Sequence, residues 1–153
     1  MILIECQTGE VVKVDAQSLR GANLDGKNLH RALLEDQDLT HASFKGADLR
    51  NALLSRAILT RANFTSARMM NAILDMADMD RAILVDAKLI AADLFGAKLR
   101  AANLEGADVG FARFRGADIR GANMNCTRLA DADFNGALVD ESTIFPKGFT
   151  PAI

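Results

Sequence analysis

Between residues 17 and 146 the chain repeats one five-residue pattern of small, polar and large apolar positions, and the spacing predicts no insertion anywhere in that span. The segment 92–124 shows the unit most plainly: Ala92 and Leu94, Ala97 and Leu99, Ala102 and Leu104, Ala107 and Val109, Ala112 and Phe114, Ala117 and Ile119, Ala122 and Met124. Across 26 units the third position is apolar every time, Leu in 15 of them, and the first position is Ala in 21. The second position is often Asp or Asn, as in Asp93, Asn103, Asp108, Asp118 and Asn123. Self-similarity over such a length outranks local propensity when a fold is read.

A period of five does not suit an α-helix. Each five-residue step turns about 140° beyond a full circle, so the large residues would scatter around the cylinder and form no apolar stripe. The first and third positions fit a short extended segment instead, both side chains pointing to one side and the residue between them to the other. The last two residues of each unit then make a corner. Gly closes the unit at eight corners (Gly21, Gly26, Gly46, Gly96, Gly106, Gly116, Gly121, Gly136), as a sharp bend or positive φ requires.

The unit A-[DN]-L-x-x, carried over the 130 residues from 17 to 146, resembles the pentapeptide-repeat family. What the resemblance implies is an all-β fold, a right-handed quadrilateral β-helix of four units per coil. The coils would stack at about 4.8 Å, and about six and a half of them would make a rod roughly 30 Å long. Residues 20 apart then share a column, so Phe44 is expected on Phe64 and Phe114 on Phe134.

Three segments follow: a cap over residues 1–16, the β-helix over 17–146, and a tail over 147–153. In the cap, Ile2 and Ile4, then Val12 and Val14, alternate with polar residues around Gln7-Thr8-Gly9-Glu10, which reads as two strands and a turn. Val14 also falls in register with the central positions, so Val12–Ala16 reads equally as a degenerate unit. Either arrangement covers the first coil, whose open edge would otherwise invite aggregation. In the earliest units Gln17, Lys27 and Gln37 replace Ala; their polar ends can reach solvent past the wall. At the other end Phe145 or Phe149 is expected to fold over the last coil, with Pro146 and Pro151 preventing further ladder bonds.

Some outward positions break the polar rule. Leu33, Leu53 and Ile73 occupy the second position at 20-residue intervals and predict an outward apolar column on one side. Ile83, Val85, Ile90 and Phe95 belong to a single coil and run around three of its sides, with Ile58, Met70, Met76 and Phe111 nearby. A contiguous belt of this kind marks a contact surface for a partner or a second copy, whereas singly exposed apolar residues are ordinary.

Composition narrows the chemistry. With 18 basic and 20 acidic residues the formal net charge is −2, which gives no general attraction to nucleic acid or membrane. Lys98, Arg100 and Arg120 share one side and Arg113 and Arg115 the adjoining one, so they read as a corner for an anion or acidic partner. Asp93, Asp118 and Asp133 lie on the same sides, which favours an ordinary charge-balanced surface over such a corner. No apolar run approaches 18 residues and no leader pattern opens the chain, so the cytoplasm is the expected location. His30 and His41 face outward on different sides, Cys6 and Cys126 stand near opposite ends, and no phosphate loop is present. Neither a catalytic constellation nor a cofactor or metal site is expected, and enzyme function is excluded from the reading.

The function expected is that of a non-enzymatic binding or scaffold protein, presenting flat faces to an unidentified protein partner, as a monomer or homodimer, with no direct nucleic-acid or membrane contact. The family resemblance supplies an alternative, since some pentapeptide-repeat proteins imitate duplex DNA and modulate DNA gyrase. Those rods are strongly acidic, and this chain is nearly neutral. A regular threonine lattice fails, because Thr40 and Thr60 are followed in their column by Asp80 and Arg100.

Overall fold

The computed structural model describes residues 1–153 and contains no α-helix. Its body is a β-helix in which second-position residues pair in parallel at intervals of 20, in four ladders: Asn23–Ser43–Asn63 and onward, Asn28–Asp48–Arg68, Leu33–Leu53–Ile73, and Asp38–Ile58–Asp78. We number the faces one to four in that order.

The sequence unit follows from the backbone hydrogen bonds. In the stacked units that begin at Ala42 and Ala62, the Asn63 N–H donates to the Ala42 carbonyl below, while the Phe44 N–H donates to the Asn63 carbonyl. The fifth-position Gly46 N–H reaches the Thr65 carbonyl in the next coil, and the Ala47 N–H closes a turn on the Phe44 carbonyl. One donor per unit is left over, on the fourth residue. An Asn or Asp at the second position takes it: Thr65 N–H donates to Asn63 Oδ1 at 3.0 Å, Phe95 N–H to Asp93 Oδ1 at 3.1 Å, and Asn135 N–H to Asp133 Oδ1 at 3.0 Å. The preference for Asp or Asn at this position is thus a turn-capping preference.

The corners also explain the glycines. Except at Cys126, Asp131 and Glu141, each of these turns holds its third residue at positive φ, the signature of a type II turn. Fourteen non-glycine residues, from Arg31 to Phe111, do so at φ of 53–61° alongside the glycines. Glycine relieves the backbone there but is not required, because the ladder bonds on both sides hold the turn.

Inside, the first and third positions fill the rod. Ala97 and Leu99 are wholly buried, as are nearly all their equivalents. The expected columns are present: Phe44 stacks on Phe64 at 4.8 Å and Phe114 on Phe134 at 5.0 Å, with rings within 6° of parallel.

At the start, β1 (Ile2–Glu5) and β2 (Val11–Val14) form an antiparallel hairpin, which resolves the two readings of that segment in favour of strands. Ile4 and Val14 turn inward. The hairpin docks under the third face, where the Leu33 N–H donates to the Glu5 carbonyl and Gln7 N–H to the Arg31 carbonyl, so the first coil has no free edge there. At the far end both Phe145 and Phe149 cover Phe134, each with its ring centroid 6.2 Å away.

The expectation of an uninterrupted register is corrected twice. Asp108 pairs with Thr127, a step of 19, and Asn123 with Ile144, a step of 21. At the first slip Cys126, small and apolar, takes the inward place that strict spacing gives to Thr127. Thr127 then faces outward, Arg128 bends at φ 59°, and a short 3-10 turn at Leu129–Asp131 brings Leu129 back into the core. At the second slip an extra residue enters the turn after Asp140, whose carboxylate accepts from the N–H groups of Gly121 and Ser142. Ile144 consequently faces outward, 56% exposed, instead of filling a central place.

Candidate functional site

The third face gathers most of the outward apolar residues. Its ladder begins with Leu33, Leu53 and Ile73 and continues with Asp93, Arg113 and Asp133. On its leading corner, before each strand, the chain places Met70, Ile90 and, on the turn above them, Phe111; on its trailing corner it places Met76 and Phe95. The turns are tied to one another from coil to coil: the Asn71 N–H donates to the Ile90 carbonyl, and the Met76 N–H to the Phe95 carbonyl. Gly96 leaves room for Met76, since a Cβ there would come 2.5 Å from the thioether sulfur. Phe95 is 47% and Met76 54% exposed, while Met70, Ile90, Leu53 and Ile73 are half-buried.

The column and the belt expected from spacing therefore meet, but only in part. Ile90 and Phe95 flank the third face. Ile83 lies on the first face and Val85 on the corner after it, and Ile58 lies on the fourth face. Leu3 joins the surface without any signal in the repeat: it lines a shallow groove with Leu19 and Leu33 beneath the first coil. The alternation in residues 1–14 reveals a hairpin but not the face to which it docks.

The apolar column has a local consequence. Where Leu33, Leu53 and Ile73 replace Asp or Asn, the N–H groups of Glu35, Ser55 and Asp75 receive no capping carboxylate or amide from the second position. The side chains on this half of the face thus forgo a hydrogen bond worth about 0.5–1.5 kcal/mol each, less where water replaces it.

The basic residues behave differently. Lys98 lies 3.6 Å from Asp78, Arg100 2.5 Å from Asp80, Arg113 2.9 Å from Asp93, Arg115 3.8 Å from Asp133, and Arg120 2.6 Å from Asp118. Each cation in the proposed anion corner already faces a carboxylate. Arg120 holds the Asp118 carboxyl below the usual carboxylate range, chiefly by direct hydrogen bonding, and Arg50 does the same to Asp48. Arg128 lies over the Phe111 ring, 5.2 Å from its centroid.

Nothing in the remaining chemistry competes with this surface. Cys126 is buried, which pushes its thiol up to about 12, and its S–H donates to the Leu104 carbonyl at 3.2 Å. Cys6 is buried at the start of the hairpin turn and is likewise raised, first by burial and then by Glu10. His30 is half-buried, with Nδ1 lacking a protein partner, and His41 is exposed on a different corner. No helix is long and apolar enough to cross a membrane.

The chain matches the family model described as pentapeptide repeats, in eight copies, over residues 18–56, 38–75, 47–86, 57–100 and 97–136. Among solved structures it is similar to HetL of the cyanobacterium Nostoc sp. strain PCC 7120, a pentapeptide repeat protein involved in heterocyst differentiation regulation. The identity is 28%, covering 75% of this chain and 67% of that one, with a TM-score of 0.48. It is similar also to Rfr23, a pentapeptide repeat protein of the cyanobacterium Cyanothece 51142, at 27% identity over 82% of this chain and 89% of that one, with a TM-score of 0.43. A more distant likeness is to QnrB1, a plasmid-mediated fluoroquinolone resistance protein, at 18% identity over 74% of this chain and 67% of that one, with a TM-score of 0.32. No curated protein matches the chain.

Proposed function

The chain belongs to the pentapeptide-repeat family, and from that premise we propose that it is a non-enzymatic binding module, a right-handed rod whose third face engages a protein partner. The observation that carries this reading is the run of Leu33, Leu53 and Ile73 on one ladder, bordered by Met70 and Ile90 on one corner and by Met76 and Phe95 on the other. The other ladders interrupt their apolar members with polar ones, as Asp38 and Asp78 do on either side of Ile58. A patch of adjoining apolar side chains, rimmed by charge, is what a recognition surface requires.

A gyrase-directed, DNA-like role finds less support. Carboxylates on the second-position ladders are interleaved with Arg and Lys, as in Asp48–Arg68–Lys88–Asp108, and many are paired across coils. A duplex mimic needs an uncompensated acidic surface to stand in for phosphates.

The test is affinity capture from the source cell extract with three baits: the parent, Leu53→Asn/Ile73→Asn, and Ile83→Asn on the first face. A protein retained by the parent and by Ile83→Asn but lost by the double variant supports the reading. Capture that depends on Ile83 instead, or recovery of gyrase subunits by all three baits, contradicts it.

A further inference from the structure

The binding reading of the third face says nothing of what fits it, but the two corners of that face differ in a way that matches them to each other. We propose that the partner is a second copy of this chain, packed side by side and parallel, with the two-fold axis running along the rods between two third faces. This inference rests on the reading of that face as a binding surface. An isologous interface must be self-complementary, and here the operator fixes which residues meet. A two-fold parallel to the rod keeps each coil level with its own counterpart and sets the leading corner of one copy against the trailing corner of the other.

Level by level, the pairs suit one another. At the level of Leu33, Arg31 on the leading corner faces Glu35 and Asp36 on the trailing corner. At the level of Ile73, Met70 faces Met76; one coil higher, Ile90 faces Phe95. Above that, Phe111 faces Arg115, an aromatic ring against a guanidinium. Between the corners Leu33, Leu53 and Ile73 each meet their own copy and exclude water. Beyond Ile73 the ladder alternates Asp93, Arg113 and Asp133, so the other copy's Arg113 is offset from each carboxylate by one strand spacing along the rod. Like charges are opposed at four levels: Arg50 meets Arg56 at the level of Leu53, and Asp93, Arg113 and Asp133 each meet their own copy. All of them are already paired within each copy, Arg50 with Asp48, Arg56 with Asp36, Arg113 with Asp93 and Asp133 with Arg115.

The antiparallel arrangement fits less well. Centred on Leu53, it sets Glu35 and Asp36 against Asp75 and Met76, and His30 and Arg31 against Met70, while Ile90 and Phe95 meet no apolar counterpart. A surface one face wide belongs with small, weaker interfaces, so the dimer is expected to form in the micromolar range and to dissociate on dilution.

The test is sedimentation velocity on the full chain from low to high micromolar concentration, for the parent and for Leu53→Asn/Ile73→Asn. Asn is the residue the repeat itself uses at this position, and a thermal melt of each sample checks that the variant is folded. The expected result is concentration-dependent dimerisation of the parent, weakened at least about tenfold in the variant. Orientation is read by mixing Ile90→Cys with Phe95→Cys under mild oxidation. A disulfide between the two different variants, exceeding that of either alone, supports the parallel two-fold. A parent that stays monomeric throughout, a dimer indifferent to the double variant, or an Ile90→Cys protein that cross-links chiefly to itself overturns it. A monomeric parent that still captures a different protein through Leu53 and Ile73 would leave the binding reading standing and remove only the second copy; a parent that does neither removes both.

Discussion

On the third face, Leu33, Leu53 and Ile73 follow one another at 20-residue steps and are succeeded, on the same ladder, by Asp93, Arg113 and Asp133. Both halves use the same hydrogen bonds between coils, the same turns and the same buried Ala and Leu columns. Their surfaces are opposite. In the upper half the second position serves the fold: Asp93 and Asp133 cap their turns, and Asp93 holds Arg113 at 2.9 Å. In the lower half it serves neither purpose, and an apolar stripe is exposed instead. Because the scaffold tolerates both, the outward second position is free to be spent on recognition, and a departure from Asp or Asn there is informative.

The largest expected effects leave the comparison intact, because the interior is common to both halves. Ala57→Leu in the lower half and Ala97→Leu in the upper insert a large side chain where each Ala is fully buried. Each is expected to destabilise by roughly 3 kcal/mol, whereas Arg115→Ala loses under about 1 kcal/mol. Thermal midpoints measured together check this; equal midpoints for the Ala and Arg variants would contradict the inward Ala column.

Next come exchanges between the halves. Asp93→Leu/Asp133→Leu removes two turn caps and the pairs with Arg113 and Arg115, and is expected to lower stability by about 1–3 kcal/mol in denaturant unfolding. If that variant were as stable as the parent, the capping role of the second position would be wrong.

The smallest effect concerns pH. Asp48 lies in the lower half and Asp118 in the upper, on other faces, and both have depressed folded pKa values. A depressed carboxylate contributes stability above its unfolded value, near 3.9, and that contribution is lost as pH falls through the lower folded value. Melts between pH 5 and pH 2 are therefore expected to show a shallower acid decline for Asp48→Asn and for Asp118→Asn, by similar amounts. An unchanged profile in both would show that the Arg50 and Arg120 contacts do not bias titration.

Much of this molecule was legible from spacing. The period of five gives the inward columns, the stacked Phe pairs and the outward column of Leu33, Leu53 and Ile73, since each follows from periodicity alone. The slips at Cys126 and Ile144 were not legible, because Leu129, Phe134 and Val139 remain in strict register and hide compensating shifts in the turns between them. Nor could spacing divide the belt. Ile83 and Phe95 are equally apolar, yet they stand on different sides, and only the ladder order shows that Ile90 and Phe95 bracket the third face while Ile83 does not. Spacing already set Asp93, Asp118 and Asp133 beside the basic corner as a balancing charge, but it did not single out Asp78 and Asp80, which pair with Lys98 and Arg100 from one coil below.

The central claim is that Leu33, Leu53 and Ile73 are held on the surface for a partner and not for the fold. Its most direct test is the thermal midpoint of the Leu33→Asn/Leu53→Asn/Ile73→Asn variant beside the parent, at a concentration low enough to keep both monomeric. The account predicts an equal or higher midpoint in the variant, because Asn supplies the caps missing from Glu35, Ser55 and Asp75. A midpoint lower by more than about 4 °C, near 1–2 kcal/mol for a chain of this size, would mean that the column stabilises the rod, and the surface would lose its claim to function.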